Sequence, residues 1–178
     1  MNAFKFLPVA LLLVVSSCVT VRVATDYDKN ADFNQYTTYA FFKPGIDKAK
    51  ISDLDKKRIL RAIDAELNTK GMTKSESPDL LISIFTKERE RVDVYQNNFG
   101  YGWGWDPWWY GGYYGNSVST STEGSLYIDF IDAKNNELIW QGLGTAQLIT
   151  QNIDKKEERI QQIVREILNE YPPGTSKK

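Results

Sequence analysis

"SLYIDFIDAKNNELIWQGLGTAQLIT" occupies residues 125–150, and its reading decides the fold. Leu126, Ile128 and Phe130 recur at every second position, the period of a strand with one buried face. "AKNNE" breaks the alternation, and Asn135-Asn136 is a pair that tolerates positive φ. "LIWQGLGTAQLIT" (138–150) then returns, so the stretch reads as an antiparallel hairpin.

Upstream, "PDLLISIFTKE" (78–88) is almost continuously apolar from Leu80 to Phe85, which fits a central strand covered on both faces. "RVDVYQ" (91–96) alternates again, and the β-prone "NSVSTSTEG" (116–124) is expected to return antiparallel to it. Nearer the start, "VTVRVATDY" (19–27) places Val19, Val21 and Val23 at period two. "YTTYAFF" (36–42) is β-branched and aromatic, with Pro44-Gly45 expected to stop it.

Two segments carry helical periodicity. In "SDLDKKRILRAIDAELNTKGM", Leu54, Ile59, Ile63 and Leu67 trace one stripe, Ser52 is the expected N-cap with Asp55 three residues on, and Gly71 the C-cap residue. The last element runs from an expected N-cap at Asp154, with Glu157 at N3, through Ile160, Ile163, Val164, Ile167, Leu168 and Tyr171 to Pro172-Pro173. The expected class is α+β: a mainly antiparallel β-sheet with two helices packed on one face. The path from 36–42 through the first helix to 78–86 is long enough for a right-handed crossover between parallel strands.

Composition removes several chemistries. The chain has no histidine, hence neither the commonest general base nor the commonest zinc ligand. Lys and Arg total 22 against 23 Asp and Glu, which argues against nucleic acid as a partner. The one cysteine, Cys18, excludes an internal disulfide.

Cys18 has a context of its own. "MNAFKFLPVALLLVVSSC" has Lys5 near its start, an apolar run from Phe6 to Val15, and two small residues before the cysteine. The run is too short to span a bilayer of ~30 Å and fits the h-region of a signal peptide. Val15-Ser16-Ser17-Cys18 resembles a bacterial lipobox. That resemblance implies a signal peptide over 1–17, cleavage before Cys18 and lipid on its sulfur; the remainder, 18–178, reads as a single α+β domain from its order of elements. Several acyl chains at ~0.8 kcal/mol per buried CH₂ anchor firmly. Val19 after the lipidated residue implies, by the sorting rules of such lipoproteins, the outer membrane, and the lack of an acidic cluster directly after Cys18 points to its periplasmic face.

Between the two middle strands lies "FGYGWGWDPWWYGGYY" (99–114), within an aromatic and Gly-rich insertion at about 97–117. It holds four of the chain's five Trp. Phe99, Tyr101, Trp103 and Trp105 share one face if extended. Rings of this kind offer large contact area with a polar tip, suited to a glycan, a partner protein or a membrane headgroup layer; the alternating glycines also fit a passive or self-packed hairpin loop. Tyr101, Trp103, Trp105, Trp108, Trp109, Tyr110, Tyr113 and Tyr114 are therefore the expected ligand- or partner-binding residues.

Four further segments have a familiar order: "DYDKNADFNQYTTYAFF", "KGMTKSESPDLLISI", "GSLYIDFIDAKNNELIWQGLGTA" and "IQQIVREILNEYPP". Together they resemble the bacterial lipoprotein family called domain of unknown function 4136. The resemblance implies an envelope lipoprotein with a compact α+β domain. It implies no activity and carries no catalytic motif.

The residues themselves offer little else for catalysis. No G-x-S-x-G, S-x-x-K or phosphate-binding loop is present. Asp106, Asp129 and Asp132 are the acids on which a glycan hydrolase would draw. "DYDKNAD" (26–32) spaces Asp26, Asp28, Asn30 and Asp32 like the start of a calcium loop, but lacks its Gly and its terminal Glu, and reads as turn-forming acids. Trp140 is expected to pack on a helix with its N–H on a carbonyl. The expectation is a non-enzymatic, lipid-anchored envelope protein, a binding or structural module using the aromatic loop 99–114, without cofactor or metal. Its partners are the membrane through Cys18 and an envelope protein or glycan. The alternatives are an Asp/Glu-dependent hydrolase of envelope glycans and a peripheral membrane-contact module.

Overall fold

A computed structural model describes residues 21–95, 117–147 and 152–174. The elements are β1 (Arg22–Tyr27), a 3-10 turn (Phe33–Gln35), β2 (Thr38–Phe41), α1 (Lys43–Asp47), α2 (Asp53–Thr69), β3 (Thr73–Lys74), β4 (Leu80–Tyr95), β5 (Ser117–Asp132), β6 (Glu137–Gln147) and α3 (Ile153–Leu168). The strands make one mixed sheet in the order β1-β6-β5-β4-β2-β3. Antiparallel pairs dominate, and β2 pairs parallel to both β3 and β4, as a crossover through α2 requires. The fold is α+β, mostly antiparallel.

The 125–150 hairpin forms as its alternation dictates. Asn136 takes φ 57 in the turn, and Leu126, Ile128 and Phe130 are all buried. Leu80, Ile82 and Ile84 lie on the same face and meet the buried stripes of α2 (Ile59, Ala62, Ile63, Leu67) and α3 (Ile163, Val164, Ile167, Leu168). Gly142 and Gly144 let α3 approach β6 closely: a Cβ at either would overlap Ile167. Ser83 alternates onto the opposite face. There α1 covers it, with Gly45 seated against its hydroxyl.

Several boundaries differ from expectation. The strands expected at 78–88 and 91–96 are one strand, β4, and those at 116–124 and 125–132 are one strand, β5. Their register is unbroken from Leu80↔Asp132 to Tyr95↔Ser117. Pro44 opens α1, where its missing N–H costs nothing, instead of merely ending β2. The N-cap of α3 is Asn152, not Asp154: Asn152 is extended (φ -127, ψ 122) and its Oδ1 accepts the Lys155 N–H. Asp154 instead stands in the first turn, favourable at the positive end of the helix dipole. Ser52 caps α2 as expected, and Gly71, φ 80, follows its end, but Leu54 of the predicted stripe is 62% exposed.

Candidate functional site

The register of the sheet gives it two unlike ends. Arg22 pairs with Thr145, Thr145 with Ser125, and Ser125 with Lys87, a single row across four strands. Beyond this row β6 ends at Gln147, while β4 and β5 continue as a two-stranded ribbon to Tyr95↔Ser117. Six residues past the last β6 pairing, at ~3.3 Å each, make the ribbon roughly 20 Å long. β1 runs antiparallel to β6, so the chain upstream of Arg22 leaves the sheet on this same side. Here α2 and α3 also begin. This is the open end.

Between the helices and the sheet at the open end lies a cleft of ≈ 170 Å³. Its floor is the neighbouring row on the helix face: Thr86, Leu126 and Gly144. Ile51 and Ile59 form one wall, and Ile160 and Ile163 the other. Asp55, Thr86, Lys87, Ser125, Lys156 and Arg159 interrupt the apolar lining. Arg159 is 6% exposed, and its Nη1 donates to Gln162 Oε1 at 2.7 Å. Burial lowers its pKa. Lys156 Nζ donates to Asp55 Oδ2 at 2.6 Å. Thr86 Oγ1 is buried without a hydrogen-bond partner among the described residues. Burial raises the Asp55 carboxyl, but hydrogen bonds from Lys156, Ser52 and Arg58 outweigh it and hold the group below its ordinary value. Lys87 turns to the other face, where its Nζ lies 5.5 Å from the ring centres of both Phe85 and Tyr127.

The sequence reading missed this cleft, because its lining comes from five elements and a loop. Arg159 left one signal: a charged residue four before Ile163, inside the apolar stripe of α3.

The expected site residues fall elsewhere. Cys18, Asp106, Tyr101, Trp103, Trp105, Trp108, Trp109, Tyr110, Tyr113 and Tyr114 lie outside the described residues. Trp140, the fifth tryptophan, is fully buried against Phe130 and Tyr171, with ring centroids 4.9 and 5.4 Å away. Its Nε1 finds no carbonyl or other partner among the described residues, contrary to expectation.

Asp129 and Asp132 serve different neighbours. Asp129 Oδ1 accepts from Gln141 Nε2 at 2.7 Å on the sheet face away from α2 and α3, and desolvation raises its pKa. Asp132 accepts the Lys134 and Asn135 N–H groups and the Tyr36 hydroxyl. Those backbone donors, the Asn135 N–H first, hold its carboxyl below the ordinary value. In the 26–32 segment, Asp28 Oδ1 accepts the Asn30 N–H and Asp32 Oδ1 the Asn34 N–H, both turn bonds. Among the described residues no three acids or cysteines gather as metal ligands, and no helix is long and apolar enough to cross a membrane.

Comparison with known proteins places these observations. The family described as "Domain of unknown function (DUF4136)" matches residues 23–173. A PDZ domain protein from Parabacteroides distasonis superimposes with a TM-score of 0.51 at 20% identity, over 89% of this chain and 37% of that one. The chain thus spans little more than a third of that protein's length. PelC from Paraburkholderia phytofirmans, solved as a dodecamer, gives a TM-score of 0.51 at 10% identity over 84% of this chain and 95% of its own. At these identities the likeness is one of fold. No curated protein matches the chain.

Proposed function

The chain belongs to the DUF4136 family over residues 23–173, and from that premise we propose that it is a non-enzymatic, lipid-anchored protein of the bacterial cell envelope that binds through its aromatic segment 99–114. Cys18 carries the lipid, and the periplasmic face of the outer membrane is its place. The observation that supports this reading most is the β4–β5 ribbon. Two strands of 16 residues each hold a register unbroken to Tyr95↔Ser117, the residues that flank the aromatic segment in sequence. A paired ribbon gives a segment reach and direction without demanding a larger core.

Membrane contact is the second reading, and the sheet register favours it. The row Arg22–Thr145–Ser125–Lys87 puts the departing N-terminal chain and the ribbon on one side of the sheet. Val21 is three residues from Cys18, at most ~11 Å of chain. A lipid there would hold the ribbon toward the bilayer.

One set of measurements tests both. The chain from Val19 onward, mixed with anionic vesicles, should show a blue shift in Trp emission. Replacing Trp103, Trp105, Trp108 and Trp109 by Ala should abolish it and leave only buried Trp140 as an unresponsive reference. An unshifted spectrum, together with in-cell crosslinks to envelope proteins or glycan that disappear on deleting 99–114, selects the partner reading. Neither shift nor lost crosslinks overturns both. For the anchor, Cys18→Ala should eliminate palmitate labelling and membrane fractionation.

A further inference from the structure

We propose that the cleft at the open end is a binding site for an acyl group: an aliphatic chain ending in a carbonyl or carboxylate oxygen. Ile51, Ile59, Leu126, Ile160 and Ile163 supply an apolar lining to a space of ≈ 170 Å³. An apolar cavity of about 150 Å³ stays dry and takes a benzene-sized guest. The cleft therefore has room for the end of an alkyl chain, and burying each CH₂ there is favourable by ~0.8 kcal/mol.

The polar groups select which amphiphile fits. Arg159 and Lys156 have only donors to offer, and Thr86 Oγ1 is buried without a hydrogen-bond partner among the described residues. An oxygen acceptor beside them gains charge-assisted hydrogen bonds and gives Thr86 a partner. Asp55 also lines the cleft, but its two oxygens are held by Lys156 and Arg58, so an ammonium at the same place meets a net positive charge. Position supports the same ligand. The cleft floor, Thr86–Leu126–Gly144, continues to Val23 of β1, next to the point where the chain leaves toward Cys18. On the proposed lipidation the cleft faces acyl chains, either the protein's own or those of the bilayer. The chemistry of the cleft itself does not depend on that anchor.

The test is calorimetric titration of the chain from Val19 onward, which contains every described residue, with octanoate below its micelle-forming concentration and with octylammonium as the charge-reversed control. Octanoate should saturate a single site and bind at least about tenfold more tightly than octylammonium, ~1.4 kcal/mol. Ile160→Phe, which fills the cleft from a half-buried position, should weaken octanoate by at least about tenfold while keeping a cooperative melt. Should that variant not fold, Ile51→Phe blocks the cleft from its other wall. Thr86→Val should weaken octanoate several-fold. Equal affinity for the two amphiphiles, octanoate binding that survives the filled cleft, or no saturable binding overturns the proposal. An absence of palmitate on Cys18 would sink the anchor and leave this titration as it stands.

Discussion

The two ends of the sheet are built on different principles. At the end where α2 and α3 finish, rings and carboxylates close the structure. Phe33, Phe130, Trp140 and Tyr171 pack edge to face or tilted, with Tyr171 within 4.6 to 5.9 Å of the other three ring centroids. Asp79 Oδ2 accepts from the backbone N–H and hydroxyl groups of both Thr37 and Thr38, which ties the start of β2 to the start of β4. Lys70 Nζ reaches the Tyr171 carbonyl and joins the two helix termini. At the open end the lining is aliphatic, a cleft remains, and the ribbon and the N-terminal chain depart. One end holds the fold together, and the other is left free to meet something else. Energetic investment and candidate function thus separate along the strand direction.

The sharpest way to break that comparison is to remove the ring at the centre of the closed end. Trp140→Ala should cost about 3–5 kcal/mol, the range for large aromatic truncations in a packed core. Urea unfolding followed by circular dichroism measures it. Ile160→Ala, at the half-buried rim of the open end, should cost only about 1 kcal/mol. Equal losses would mean that the ends are not different in kind.

Asp79→Ala comes next, at about 2–3 kcal/mol, because four donors to one carboxylate oxygen lose their acceptor together. Hydrogen bonds, led by the Thr37 backbone N–H, hold the Asp79 carboxyl below its ordinary 3.8. A depressed acid contributes stability that is fully present above the unfolded value and is lost as pH falls through the folded one. The gap between wild type and variant should therefore be widest near neutrality and narrow below about pH 4. A gap independent of pH would show that the carboxylate's charge is not what the threonines hold.

Much of the core was legible in the sequence, because period-two alternation at Leu126, Ile128 and Phe130 and the helical stripe from Ile160 to Tyr171 report burial directly. The ribbon was legible only in halves. The charged run from Lys87 to Arg91 interrupts the apolar pattern, so β4 read as two strands. The backbone pairing nevertheless runs through it, from Lys87↔Ser125 to Arg91↔Ser121, since ladder hydrogen bonds need no apolar side chain. The N-cap of α3 was misplaced by two residues because Asn152 and Asp154 are both good caps, and only backbone geometry chooses between them. The cleft was not legible at all: Ile59, Leu126 and Ile160 read as members of separate apolar stripes, Ile51, Thr86 and Gly144 carry no periodic signal, and their adjacency is a property of the crossover.

Asp129→Asn should have the smallest effect, and its sign separates the two sheet faces as the earlier variants separate the two ends. Asp129 sits on the face away from α2 and α3, where desolvation raises its carboxyl and the bond from Gln141 only partly offsets this. An acid raised in the native state binds its proton more tightly folded than unfolded. The resulting penalty is absent below the unfolded value, grows as pH rises between the unfolded and folded values, and stays constant above both. Asn cannot ionise, keeps Oδ1 as the acceptor for Gln141 Nε2, and removes that penalty. The variant should match wild type near pH 3 and exceed it by less than about 1 kcal/mol at pH 7, the reverse of the Asp79 pattern. A loss of stability at pH 7 would mean that ionised Asp129 is supported on this face by more than Gln141. The face beside α1 would then hold a supported charge at Asp129, the cross-strand partner of Ser83.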